Sequence, residues 1–191
     1  MIEDTGNAGE FNADSLIGDP ARRASPTVRG FLYQFFQTVL AWLEISPEEL
    51  VYVEGAEDFD IVSAGQSVSF QIKNNRASGS ITLATSGASA ALANYWALRT
   101  ENRGRNIYFK YVTTAAPGRE LHGFSGERGV DVWNRCRQLA LQDCAEDIER
   151  IRAFLANHLP PSGELSKFLG NGTAQELKAQ LIDGVDGPAP L

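Results

Sequence analysis

Residues 51–73, VYVEGAEDFDIVSAGQSVSFQIK, constrain the fold more than any other stretch. Val51-Tyr52-Val53 and Asp60-Ile61-Val62 are short β-forming runs, and Val68 to Lys73 is a third. Ser63-Ala64-Gly65-Gln66-Ser67 between the last two reads as a hairpin connection. In the third run Val68, Phe70 and Ile72 alternate with Ser69, Gln71 and Lys73. A period of two puts Gln71 and Lys73 on one face, opposite the apolar residues. Pairing with the preceding strand sets Asp60 beside them. A carboxylate, an amide oxygen and an ammonium on one face have a plain chemical use. The oxygens can hold a hard divalent cation such as magnesium. The lysine can orient or deprotonate a water, or neutralise charge growing on a phosphate. Phosphodiester hydrolysis needs these parts together.

The same residues carry a resemblance. Glu54, Asp58-Phe59-Asp60 and Gln71-Ile72-Lys73 resemble the core of the PD-(D/E)xK nuclease superfamily. Gln71 stands where most members have an acid, as in Mrr-type restriction endonucleases, whose motif ends QxK. A nearer likeness is to the N-terminal double-stranded DNA endonuclease domain of bacterial anti-phage effectors. There a helix with a Gly…Tyr-Gln stretch precedes the strands; here that stretch is Arg29-Gly30-Phe31-Leu32-Tyr33-Gln34. The likeness covers roughly residues 25–115, in the order helix, acidic hairpin, QxK, helix, strand.

The resemblance implies an α/β fold with a restriction-endonuclease-like core: αβββαβ, a mixed sheet flanked by helices. It implies a metal-dependent DNA endonuclease serving as the effector of anti-phage defence. Asp60, Gln71 and Lys73 are the expected catalytic set. Glu54, Glu57, Asp58 and Asp60 compete as ligands; Asp60 is preferred, because it precedes Gln71 by eleven residues, as in the Mrr-type arrangement. Asp60 and Gln71 are expected to hold Mg2+ (or Mn2+), with Asp58 or Glu54 completing the shell. Glu44, at the end of the first helix, is a further candidate, weighed against a surface role. Arg76, Asn74, Gln34 and Arg29 are expected at the DNA, with metal and backbone as alternative partners for Gln34. Double-stranded DNA is the implied substrate, and a sensor or motor domain or subunit the implied companion. A single centre cuts one strand, so a homo-oligomer, at least a dimer, is expected. A catalytically inactive nuclease-like scaffold for oligomerisation or partner docking is the competing reading, kept open by Gln71 and by the acidic balance of the chain.

That balance is a net charge of −7. A phosphate-binding protein usually shows a basic face, so the charge must be patterned. Arg22, Arg23 and Arg29 precede or open the first helix, and Arg99, Arg103, Arg105, Lys110 and Arg119 fall within a short span. Hydrophobic residues are 43% and charged residues 21% of the chain, as in globular proteins. No apolar run reaches the ~20 residues of a membrane span, and the acidic N-terminus is not expected to be a signal peptide. A cytoplasmic protein is expected, with Cys136 and Cys144 as reduced, buried thiols.

In order along the chain, 1–24 is expected to be a flexible tail, 25–120 the nuclease core, 121–185 a helical extension of the same domain, and 186–191 a linker-like tail. Ser25-Pro26 reads as a helix start. Phe31, Phe35, Val39, Trp42 and Leu43, widened by Leu32, Phe36 and Leu40, form an apolar stripe that predicts a well-buried helix to about Ile45. A helix is expected over roughly 82–101, with Tyr95 and Trp96 as core residues in preference to base-stacking groups. Ile107 to Thr114 is the strongest strand. Helices are expected over 130–141, 145–159 and about 173–183. His122 and His158 lack partners at ligand spacing.

Overall fold

The computed structural model describes residues 25–75 and 79–189. The expected tail 1–24, with Arg22 and Arg23, and the expected DNA contact Arg76 lie outside them. Helix α1, Ser25–Glu44, is followed by strands β1 (Leu50–Val53), β2 (Phe59–Ser63) and β3 (Gln66–Lys73). A two-residue strand β4 (Ser80–Ile81) leads to helix α2, Ser86–Glu101. Strand β5 (Asn106–Thr113) and a short β6 (Ala116–Pro117) come next. Helices α3 (Gly129–Gln138), α4 (Leu141–His158), α5 (Glu164–Asn171) and α6 (Ala174–Leu177) complete the helical part, α6 running into a π-helical turn over Lys178–Ile182. Strand β7, Val185–Ala189, ends the described chain.

The main sheet has five strands in the order β1-β2-β3-β5-β7. The first three form an antiparallel meander. Its second turn is only Ala64-Gly65, with Gly65 at φ +79°, where a side chain is rarely tolerated. From β3 the chain crosses over through α2 and returns as β5, parallel to β3. The sheet is therefore mixed and flanked by helices, as an α/β fold requires. Strands β4 and β6 form a separate parallel pair.

The core lies on one side of the sheet. Ile107, Phe109 and Tyr111 of β5 point into it, against Tyr95 of α2, Trp133 of α3, Ile148 and Ile151 of α4, and Leu181 of the π turn. Tyr95 donates its hydroxyl proton to the Gln180 carbonyl at 2.7 Å, and Trp96 stacks on Phe168 at 4.1 Å. Both aromatics are core residues, as expected. Cys136 and Cys144 are free and buried. No described helix is long and apolar enough to cross a membrane.

Two expectations are corrected. The C-terminal stretch expected as a linker is strand β7 through Ala189, paired parallel with β5. Trp133 Nε1 donates to the Val185 carbonyl at 3.1 Å, and Arg137 pairs with Asp186. Pro188 is tolerated because β7 is an edge strand. The helices of residues 121–185, expected as an extension of the same domain, share the core of the sheet.

The apolar stripe of α1 is not buried. Thr38 is buried and Gln34, Gln37 and Ala41 half-buried, whereas Phe31, Leu32, Phe35, Phe36, Leu40, Trp42 and Leu43 are exposed. The helix lies on the sheet with its small and polar face and turns its large apolar face outward.

Candidate functional site

The site is built where the acidic loop between β1 and β2 folds over the C-terminal end of β3. Asp60 pairs in register with Ser69, so Asp60, Ser69, Gln71 and Lys73 share one face. That face is the inner one: Asp60 is 7% exposed, Gln71 8% and Ser69 2%. Lys73 at the strand end is half-buried. The three residues expected to act together are therefore brought together, on the interior side of the sheet.

The loop is fixed by its own backbone. Glu54 adopts φ +54°, and its N–H donates to the Asp58 carbonyl at 3.1 Å. A non-glycine residue held in this region stores strain of about 1–3 kcal/mol. Asp60 Oδ2 accepts the Ala56 N–H at 2.7 Å. A Cβ on Gly55 would stand 2.1 Å from that oxygen, so only glycine lets the loop close on Asp60. Gly55 is a positioning residue that no sequence pattern singled out; its signal was its place inside an acidic run.

The acids divide their roles. Asp58 lies just ahead of β2, and its carboxylate accepts the Ile72 N–H of β3 at 2.5 Å. It extends the ladder where the strand stops. Glu54 is exposed, and Gln34 Nε2 of α1 donates to its Oε1 at 3.2 Å. Gln34, and not Glu44, is the α1 residue that reaches the loop; Glu44 borders a different groove with Lys110 and Phe70. Glu57 was one of four competing acids without an assigned role. It accepts from Gln71 Nε2 at 3.1 Å. Burial raises its pKa, Asn94 of α2 and the Lys73 charge lower it, and Asp58 and Asp60 raise it further.

Arg29 and Asn74 meet at the same end of the sheet, Asn74 Nδ2 donating to the Arg29 carbonyl at 3.4 Å. Thr114 Oγ1 donates to Asn74 Oδ1 at 3.3 Å and accepts from the Asn75 N–H at 2.9 Å. Arg103 and Arg105, after α2, do not join them. Asn106 pairs with Gln66, which puts Arg103 and Arg105 at the opposite end of β3 from Lys73. Lys110 lies on the α1 side, over the Phe70 ring. His158 Nδ1 is engaged with the Phe154 carbonyl, and the ring stacks on Phe154.

Within this site the buried oxygens Asp60 Oδ1 and Gln71 Oε1 have no donor among the described residues. Both are acceptors only, and leaving such groups unsatisfied is expensive. A hard cation would satisfy both. Among the described residues no group of three or more His, Cys, Asp or Glu stands ready to hold a metal. The donor set is thus one carboxylate and one amide oxygen. That suits magnesium, which keeps several waters and binds through one or two carboxylates. No family model, curated protein or solved structure matches the chain.

Proposed function

We propose that the chain is a metal-dependent DNA endonuclease of the PD-(D/E)xK type. The observation that carries the reading is the pair of donorless buried oxygens, Asp60 Oδ1 and Gln71 Oε1, on one face with Lys73. Asp60 and Gln71 would hold Mg2+ or Mn2+, which supplies Lewis-acid polarisation of the phosphate and lowers the pKa of a bound water. Lys73, half-buried and next to Glu57, donates a hydrogen bond to the attacking water and offsets negative charge developing on phosphorus. Glu57, its carboxyl shifted up by burial, would take the water proton. Water oxygen bonds to phosphorus, one P–O ester bond breaks, and the sugar oxygen departs with a proton. Gln34, Arg29 and Asn74 border the site on the side a duplex would approach, with phosphate contact as their role. Service in anti-phage defence, with a sensor or motor companion, comes from the family resemblance alone.

The test is plasmid and linear phage DNA incubated with the full chain in magnesium, manganese or chelator, beside Lys73→Ala and Asp60→Ala. Degradation should need the metal and fall by about 100-fold or more in either variant. Full activity in the Lys73→Ala, Asp60→Ala double variant sinks the assignment. The inactive-scaffold reading is favoured by one observation, the lack of a three-acid cluster among the described residues. It predicts no binding of Mn2+ measured calorimetrically, with or without DNA.

A further inference from the structure

The outer face of α1 has no partner within the described chain. Phe31 is 63% exposed, Trp42 62% and Leu43 69%, and Phe35, Phe36, Leu32 and Leu40 are at least half exposed. Beside them Leu50, Tyr52 and Val53 of β1 are exposed as well. The two elements are continuous: a groove of about 580 Å³ between them is lined by Phe31, Phe35, Val39, Trp42, Val51 and Val53. Aromatic side chains bury about 150–250 Å² each, so the four aromatics of α1 at these exposures put roughly 500 Å² of apolar surface in one patch, to which Leu32, Leu40 and Leu43 add. The largest such patch on a typical monomer is about 300–600 Å². A stable interface needs about 800 Å² from each partner.

We propose that this patch binds a second copy of the same chain across a two-fold axis. Two features make it self-complementary, as an isologous contact requires. The first is β1, an edge strand that pairs only with β2 in the described sheet and leaves its other backbone edge open. Leu50–Val53 has no lysine, proline or charge to guard it. Antiparallel pairing of β1 with its copy would join two sheets into one. The second is the orientation of α1: the two-fold axis that pairs β1 with its copy packs α1 antiparallel on its copy, so the helix dipoles oppose each other and the groove residues Phe31, Phe35 and Trp42 meet across the axis. Gln34 and Glu54 close one end of the groove, so the second copy reaches the border of the candidate site.

The inference stands on the surface alone, and its readout is mass, not cleavage. Sedimentation velocity of the full chain over a wide concentration series should give a species of twice 20.8 kDa. Phe35→Glu and Val53→Lys each bury a charge in the contact and should weaken self-association by about 100-fold, with unchanged circular dichroism. Both side chains are exposed, so neither variant disturbs the monomer core. A wild-type monomer at every concentration overturns the proposal and leaves the patch to a different protein. A dimer unaffected by both variants also overturns it, because another face then makes the contact.

Discussion

At the scale of single residues, two glycines of the motif region have opposite needs. Gly55 has Asp60 Oδ2 where its Cβ would be, at 2.1 Å. Gly55→Ala must push the carboxylate away and break its bond to the Ala56 N–H, at a cost of about 1–3 kcal/mol. Gly30, inside α1, has nothing within 4 Å of a built Cβ. Gly30→Ala should therefore stabilise by roughly 0.5–1 kcal/mol, the usual gain in a helix interior. Urea unfolding of the two variants checks both signs; a destabilised Gly30→Ala would mean that the outer contacts of α1 need glycine there. The contrast marks what was legible. The period of two in Val68–Lys73 put Asp60, Gln71 and Lys73 on one face, and the register agrees. Which face the helices cover is not contained in that period. The polar side of β3 is the buried side because α2 and the C-terminal helices arrive there from distant sequence. The bonding of Glu57 to Gln71 and Asn94 depends on the same long-range packing.

At the scale of elements, helices and strong strands were readable, and the edges of the sheet were not. Asn106–Thr113 forms a strand because β-branched and aromatic residues alternate inward and outward along it. Val185–Ala189 holds Gly187 and Pro188, which have low strand propensity, and becomes a strand only by pairing with β5. The stripe of α1 was seen, but amphipathicity fixes that one face is buried without naming the partner that buries it. Deleting residues 185–191 tests how much β7 contributes. It exposes the edge of β5, removes Val185 from the core and takes the acceptor from Trp133 Nε1. The loss of one buried valine and one buried hydrogen bond comes to about 3 kcal/mol. The truncated chain should unfold at lower urea with a shifted tryptophan emission; an unchanged midpoint would show β7 to be ornamental.

At the scale of the molecule, one core joins the sheet to α2 through the π turn, so a charge forced into it works against the whole fold. Cys136 is fully buried in this core. Burial, then the neighbouring Cys144, pushes its pKa from 9.0 up to about 12. Burial also raises the phenols of Tyr95 and Tyr111. The sign follows from linkage. An acid whose pKa is higher in the folded state binds more protons there, so its contribution is fully present below the unfolded pKa and is lost as pH rises through the folded one. The contribution of Cys136 should hold constant up to about pH 9.0 and then fall steadily toward pH 12. Cys136→Ala should lower stability at neutral pH by about 1 kcal/mol, for the sulfur removed from a packed site. It should also make the alkaline decline shallower, the tyrosines accounting for what remains. The measurement is the urea midpoint of both proteins across that range, followed by circular dichroism and by tryptophan emission. Parallel curves would mean that the thiol has the same pKa in the folded and unfolded states. Separate transitions by the two probes would mean that the helices of residues 121–185 and the sheet do not unfold as the single unit their shared core requires.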